Sequence, residues 1–289
     1  MSRRELASSP LLDEISPEVG EIDEAAVTEA LEADPDELLA LLAQMTQATD
    51  VRLRALAKSL AARIFVDIAR TEPPDARGIG RIVRQRYRPD RGDLDIEGSA
   101  DALLAARAER RLVEPDELVV RAWGKPSTAW CLVVDRSGSM HGGPLATAAL
   151  AAAAIASRAD DHYAVLSFSR DVVAVKAMWE QRSVDDVIDR VLALRGHGTT
   201  DVAKALLTAA QQQATVAAGR RITVLLSDCR ATEPGDVVTA ARCLDELVIL
   251  APDGDSDEAE QLAGHIGARW ATVDAPTSIV AALASVLDR

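Results

Sequence analysis

The chain has 289 residues, of which 48% are hydrophobic and 3% aromatic, so we expect a folded core of Ala, Val, Leu and Ile. Its formal net charge of −14 argues against general nucleic-acid binding, because phosphate contacts need a positive surface. The three cysteines lack metal-binding spacing, no apolar segment follows the charged N-terminus, and no apolar run approaches the roughly 20 residues of a membrane span. We therefore expect a cytoplasmic protein that binds neither nucleic acid nor membrane.

The first 72 residues divide by composition into two segments. Residues 1–33 carry nine acidic residues against two arginines, which predicts an acidic, largely disordered tail with at most a short helix over 22–31. Residues 34–72 are predicted to form a helical hairpin. Asp34 is a plausible N-cap with Pro35 at the first helical position, and apolar residues recur at helical spacing in both halves.

Residues 73–125 are predicted to be an arginine-rich connector. Six arginines lie between positions 77 and 91, and a short extended piece, a helix and a strand follow at 93–97, 99–109 and 117–123. A run of like charges of this kind is usually a solvated, flexible linker. The alternative is a docking strip for an acidic partner or for the acidic tail of the same chain.

From residue 126 to the C-terminus, apolar strands alternate regularly with helices. Continuous apolar strands with intervening helices predict an α/β, doubly wound, mostly parallel sheet covered on both faces. The segments at 163–169 and 171–178 are separated by only a tight turn, so one of the strands is predicted to be antiparallel. The six predicted strands are 129–134, 163–169, 171–178, 222–227, 247–250 and 270–273.

Three segments of this region carry oxygen-bearing side chains where strands or loops end. Asp135, Ser137 and Ser139 follow the first strand at alternate positions, Thr200 lies in the loop 196–201, and Asp228 ends another strand. Ligands of an open parallel sheet collect outside the carboxyl ends of its strands, so these side chains are expected to converge. Carboxylates and hydroxyls without a His or Cys pair favour a hard cation.

These motifs resemble the von Willebrand factor A (vWA) domain with its metal-ion-dependent adhesion site. The resemblance covers roughly residue 126 to the C-terminus and implies that Asp135, Ser137, Ser139, Thr200 and Asp228 ligate the metal. Thr200 is preferred to Thr199 by alignment with the usual Thr-Asp motif of the family. Two residues differ from the family pattern without removing a ligand oxygen, namely Cys229 in place of a common Gly, and His197, which interrupts a frequent Gly-Gly pair.

The ligand set favours Mg²⁺, with Mn²⁺ as the alternative. It offers few protein oxygens, several of them neutral, and so leaves part of an octahedron open. In the vWA family the open position is taken by a carboxylate of the bound protein. The resemblance therefore implies a metal-dependent protein-binding module and not an enzyme.

The rival interpretation is a metal-dependent hydrolase or phosphotransferase. Ser139 would be its nucleophile and His141 or His197 its base, but the sequence has no Gly-x-Ser-x-Gly motif. Nucleotide-binding loops of the Gly-x-x-x-x-Gly-Lys-[Ser/Thr] and Gly-x-Gly-x-x-Gly types are also absent. Substitution of Ser139 and His141 in a turnover assay separates the two interpretations.

The order of segments is similar to that of bacterial intracellular vWA proteins, which act with MoxR-type AAA+ ATPases. In those proteins helices and a connector precede a C-terminal vWA domain. The resemblance implies an adaptor between such an ATPase and its client protein, an analogy at the level of architecture.

Overall fold

The computed structural model describes residues 6, 9–18, 20–70, 81–86, 93–124, 127–137, 142–159, 162–196 and 198–287. Contacts between residues divide the chain into two compact units. One consists of Met1–Asp75 together with Thr128–Arg289, and the other is Ala76–Ser127. No helix among the described residues is both long enough and apolar enough to cross a membrane.

A six-stranded sheet forms the centre of the first unit. Its order is β6-β5-β4-β7-β8-β9; β6 runs antiparallel to β5 and the other neighbours pair in parallel. This confirms the predicted mostly parallel, doubly wound fold with one antiparallel strand. The strands are β4 (Thr128–Asp135), β5 (Tyr163–Phe168), β6 (Val172–Lys176), β7 (Arg220–Leu226), β8 (Glu246–Pro252) and β9 (Arg269–Val273).

Helices cover both faces of this sheet, and alternate residues of each strand supply the two cores. Leu132 and Val134 of β4 pack into the core on one face, and Cys131 and Val133 pack into the core on the other. The first core contains α6 (Gly143–Arg158), α7 (Val184–Leu192) and α11 (Ser278–Leu287). The second contains α8 (Val202–Ala214), α9 (Val237–Ala241) and α10 (Asp257–Ile266).

Helix α6 is buried on all sides. Every residue from Leu145 to Ile155 is buried, which requires packing against more than the sheet. The second partner is a layer of helices from the start of the chain, because α3 and α4 both contact α6. The N-terminal helices are α1 (Leu11–Ile15), α2 (Glu24–Ala33), α3 (Pro35–Met45) and α4 (Val51–Arg70).

Local sequence explains where these N-terminal helices begin. The Asp23 carboxylate accepts hydrogen bonds from the first turn of α2, and Asp34 caps α3 through the backbone N–H of Glu37, with Pro35 at the first helical position. In α3 the large apolar residues are all buried, and they join the same core as α6 and the sheet. The predicted helical hairpin is therefore part of the main core.

The acidic segment 1–33 differs from its predicted state where the structure describes it. Helices α1 and α2 lie in this segment, and Leu12, Ile15 and Val27 are buried in the main core. Composition alone suggested disorder because nine acidic residues stand against only two arginines. Its buried apolar residues lie on faces that the other helices cover, and its described acidic residues are exposed.

The second unit contains a three-stranded antiparallel sheet of order β1-β3-β2. Its strands are β1 (Arg81–Arg86), β2 (Asp93–Leu94) and β3 (Val119–Gly124), and α5 (Ala100–Ala108) lies between β2 and β3 in the chain. Buried Asp95 accepts a hydrogen bond from the backbone N–H of Gly98 and forms an ion pair with Arg121 at 3.1 Å. Strand β1 was not predicted, because its arginines had indicated a connector.

Candidate metal centre

The candidate site lies where β4 and β7 end side by side. These strands are parallel neighbours, and Val134 pairs with Leu226 in the last position of the register. Asp135 is the last residue of β4, and Ser227 is the first residue after β7. Asp228 follows Ser227 directly. Parallel pairing therefore brings the first and third predicted segments to the same edge of the sheet.

Both carboxylate oxygens of Asp135 accept hydrogen bonds. The backbone N–H of Ser137 donates to Oδ1 at 2.8 Å, and the hydroxyl of Ser227 donates to Oδ2 at 2.6 Å. Burial raises the pKa of Asp135 above its ordinary value and the negative charge of Asp228 adds to this, while the hydrogen bonds from Ser227 and Ser137 act in the opposite direction. Asp135 is thus a partly buried carboxylate beside another carboxylate, held in a fixed orientation.

Asp135, Ser137 and Asp228 line one cleft with a volume of about 520 Å³. The first turn of α6 and the ends of β8 and β9 complete its wall. Three further carboxylates line it, and none of its described lining residues is Lys, Arg or His. These further carboxylates are Asp253, Asp255 and Asp274.

The structure separates the two threonines of the second segment. Thr200 is 4% exposed, and its backbone N–H donates to Oγ1 of Thr232 at 2.7 Å, which connects it to the loop that follows Asp228. The hydroxyl of the exposed Thr199 instead donates to Oε1 of Glu233 at 2.5 Å. Thr200 is not among the residues that line the cleft, so its role as a ligand stays a prediction.

Three residues of the sequence hypotheses lie outside the described residues. They are the predicted ligand Ser139 and the candidate bases His141 and His197. Among the described residues there is no group of three or more His, Cys, Asp and Glu side chains that could hold a metal. The predicted ligand set contains only two carboxylates and would not form a group of three such side chains. The finding therefore neither supports nor contradicts that set.

The described donors fit a hard divalent cation. Asp135, Ser137 and Asp228 offer only oxygen, and a cation beside them would offset the charge repulsion and burial that raise the pKa of Asp135. The neighbouring thiol of Cys229 is protonated in the metal-free protein. Burial, with the charges of Asp228 and Asp135, raises the pKa of Cys229 to about 12, so the thiol is neutral.

Sequence reasoning missed Ser227 at this edge and noted Cys229 only as a departure from the family pattern. Ser227 is 4% exposed and contacts both Asp135 and the loop of Asp228. Cys229 has φ of 64°, a left-handed conformation that turns its backbone N–H towards the Ser227 hydroxyl. The available signal was the position of Ser227 between a buried strand and a predicted metal ligand.

Three solved structures are similar to this chain in fold. A von Willebrand factor type A protein from Catenulispora acidiphila has 16% identity and a TM-score of 0.46, covering 58% of this chain and 43% of its own. Proximal thread matrix protein 1 from the mussel byssus, with a zinc-occupied MIDAS motif, has 14% identity and a TM-score of 0.44, covering 56% and 47%. Manganese-loaded TRAP protein from Plasmodium vivax has 16% identity and a TM-score of 0.43, covering 54% and 72%.

The chain thus spans less than half the length of the first two of these proteins. No curated protein compared with the chain matches it. The profile of one protein family matches residues 40–285, a range that includes the second half of α3, all of α4, the second unit and the whole six-stranded sheet. The chain belongs to the family of VWA domain containing CoxE-like proteins.

Proposed function

We propose that the chain is a Mg²⁺-dependent protein-binding module without enzymatic activity. Its metal ligands are Asp135, Ser137, Ser139, Thr200 and Asp228, with Mn²⁺ as the alternative ion. The observation that carries the proposal is the convergence of Asp135, Ser137 and Asp228 in one cleft at the carboxyl ends of parallel strands. Membership of the CoxE-like family of vWA proteins supports it.

The residues of the site have different roles in metal binding. Asp135 and Asp228 supply negative charge, and the hydrogen bonds to Asp135 fix its orientation before any cation arrives. A bound Mg²⁺ would offer an open coordination position that a carboxylate of a partner protein can fill. The other carboxylates of the cleft would repel a second acidic group, which confines a partner carboxylate to the metal.

The proposed partner is a MoxR-type AAA+ ATPase or its client, with this chain as the adaptor. We further propose a cytoplasmic location, because Cys131, Cys229 and Cys243 are all unpaired. The hydrolase or phosphotransferase alternative has no described residue in its favour. Its test is a turnover assay with the Ser139→Ala and His141→Ala variants, in which loss of a measurable activity would support an enzyme.

Calorimetric titration of Mg²⁺ and Mn²⁺ tests the metal centre. Asp135→Ala should abolish binding, because it removes a ligand carboxylate. Asp253→Ala is the matched control, since it removes the same charge from the same cleft but is not in the ligand set. It should retain binding within about threefold, the scale of a solvent-screened charge effect. Equal affinity in wild type and Asp135→Ala would refute the metal centre.

A pull-down with a purified MoxR-type ATPase or its client tests the partner. Wild type and Asp253→Ala should capture the partner in Mg²⁺ and lose it in chelator, whereas Asp135→Ala should fail in both. Capture by Asp135→Ala in chelator would show that docking does not involve the metal.

A further inference from the structure

Ser227 connects the end of β4 with the loop after β7 through its hydroxyl. It is the first residue after β7, and its hydroxyl contacts Oδ2 of Asp135 at 2.6 Å and the backbone nitrogen of Cys229 at 2.9 Å. The side chain is buried among residues of both loops. One hydroxyl thus touches Asp135, the last residue of β4, and the loop after β7, which carries Asp228.

The directions of these two hydrogen bonds follow from the chemistry of the groups. A backbone N–H only donates, so Cys229 donates to the Ser227 oxygen. An ionised carboxylate only accepts, so the Ser227 proton is directed at Asp135. The result is a chain from the Cys229 N–H through the Ser227 hydroxyl to the Asp135 carboxylate, in which each bond polarises the next.

We propose that Ser227 is a positioning residue of the metal centre, which orients the carboxylate of Asp135 for the cation and fixes the turn that carries Asp228. This inference rests on the proposed metal-binding function. Ser227 itself donates a hydrogen bond to Asp135 and is not a ligand of the metal. Without it, Oδ2 of Asp135 loses its described hydrogen-bond donor, and the left-handed turn at Cys229 loses the acceptor that stabilises it.

A second buried serine provides a matched control. Ser167 lies on β5, pairs with Val134 of β4 and is fully buried. Its hydroxyl has no hydrogen-bond partner among the described residues. Ser167→Ala therefore removes the same atom from a buried site next to β4 without touching the hydrogen-bond chain to Asp135.

The experiment compares metal affinity and apo-protein stability in four variants. Ser227→Ala should weaken Mg²⁺ and Mn²⁺ binding by roughly 10- to 100-fold, the usual loss when a group that orients a metal ligand is removed. Ser167→Ala should bind as wild type does, and Ser227→Thr, which keeps the hydroxyl, should recover most of the lost affinity. Asp135→Ala should abolish binding. Among the variants that still bind Mn²⁺, only Ser227→Ala should show an electron paramagnetic resonance line shape different from that of wild type.

The outcomes separate this inference from the proposed function. Wild-type affinity in Ser227→Ala, with binding abolished in Asp135→Ala, would overturn the role of Ser227 and leave the metal centre standing. Binding that persists in Asp135→Ala would overturn the metal centre itself. If Ser227→Ala does not fold, Ser227→Cys takes its place, because a thiol is a weaker donor of nearly the same size. Wild-type affinity in that variant would equally contradict the inference.

Discussion

Cys229 occupies a backbone conformation that glycine adopts far more readily than other residues. Its φ of 64° lies in the left-handed region, which costs about 1–2 kcal/mol for a residue with a β-carbon. The turn nevertheless directs its N–H to Ser227, beside Asp135. Strain of this kind is common where the backbone is held for a function, and here it lies one residue from a predicted metal ligand.

We predict that Cys229→Gly is more stable than Cys229→Ala by about 1 kcal/mol, because both lose the thiol but only Gly removes the strain. Urea unfolding of the metal-free protein measures the difference. Ala210→Gly inside helix α8 is the control with the opposite sign, since Gly in a regular helix costs about 1 kcal/mol. An alanine variant at 229 that equals or exceeds the glycine variant in stability would show that the turn is unstrained.

At the same scale, sequence reasoning reached Asp135, Ser137 and Asp228 because oxygen-bearing residues after apolar strands form a recognisable motif. It did not reach Ser227, whose role depends on the register between β4 and β7. A register joins residues about 90 positions apart and is not encoded in either strand alone. The preference for Thr200 over Thr199 had a local signal, the alignment of the Thr-Asp motif.

At the scale of elements, an ion-pair network joins β7, β8 and β9 at their first residues. Arg220 donates two hydrogen bonds to Glu246 at 2.6 and 2.7 Å, and Arg269 donates a third at 2.8 Å. The hydrogen bonds from Arg220 hold the pKa of Glu246 below its ordinary value, and the charge of Arg269 adds to the effect. The network therefore stabilises the ionised carboxylate in the folded state.

We predict that Glu246→Gln lowers the free energy of unfolding by about 1 kcal/mol at pH 7, the upper range for partly exposed pairs. The pKa of Glu246 is lower in the folded state than its ordinary value of 4.5. The stabilisation by the network is therefore complete above pH 4.5 and is lost as the pH falls through the pKa of the folded state. Chemical denaturation of wild type and variant from pH 7 to pH 3 should show the two converging below about pH 4.5.

Asp245→Asn is the control for that prediction. Asp245 is adjacent and acidic, but its side chain is 58% exposed, and among the described residues its ion pair is with Arg221, at 3.4 Å. It should change stability by no more than a few tenths of a kcal/mol at any pH. A difference in the free energy of unfolding between wild type and Glu246→Gln that stays constant down to pH 3 would contradict the lowered pKa of Glu246.

A second contact between elements attaches α3 to the rim of the metal cleft. The Asp36 carboxylate accepts hydrogen bonds from the backbone N–H and the hydroxyl of Thr277, at 2.7 and 2.9 Å. Thr277 directly follows Ala275 and Pro276, which line the cleft. Helix α3 therefore holds the loop between β9 and α11 in place.

We predict that Asp36→Ala destabilises the protein by about 1.5–3 kcal/mol, the usual value for hydrogen bonds to a charged group. Gln47→Ala is the control, because Gln47, two residues after α3, donates a hydrogen bond to the backbone carbonyl of Leu192 at the end of α7, away from the cleft. Hydrogen exchange should increase at 275–278 in Asp36→Ala and not in Gln47→Ala. Unchanged exchange there would mean that the loop is fixed by other contacts.

The regular elements after residue 126 were predictable because their patterns are local. Buried parallel strands are continuous apolar runs, and the tight turn between β5 and β6 required an antiparallel pair. Strand β1 was not predictable in this way, because its identity depends on pairing with β3 about 40 residues later. Charge density suggested a linker, and nonlocal pairing overrode it.

At the scale of the whole molecule, the N-terminal helices and the vWA-type sheet share one hydrophobic core. Helix α3 buries five large apolar side chains, and α4 contacts both α6 and α7. A β-carbon at Gly142, the residue before α6, would lie only 2.9 Å from Nε2 of Gln44 of α3, so the two layers meet next to the metal-site loop. The sequence did not indicate this, since an amphipathic hairpin does not identify the surface that it covers.

The boundary predicted at residue 126 leads to a test of this shared core. We expect the fragment 126–289 to lack a cooperative fold, because removing α3 and α4 exposes α6, which is buried on every side. Five large side chains at about 1.5–3 kcal/mol each amount to roughly 7–15 kcal/mol, an upper estimate that is comparable with the entire stability of a typical domain. Thermal unfolding and binding of a hydrophobic dye measure the effect.

The second unit supplies the matched control for this truncation. Replacing residues 76–127 by a flexible Gly/Ser linker removes the second unit, which the fragment 126–289 also lacks, but leaves all contacts within the first unit. That variant should keep a single cooperative transition and wild-type Mg²⁺ affinity, whereas the fragment 126–289 should bind the dye and lose metal affinity. If the fragment instead melts cooperatively near the temperature of the full chain, the N-terminal helices form an independent layer. The division at residue 126, predicted from the regular alternation of strands and helices, would then describe the folding units better than the shared core does.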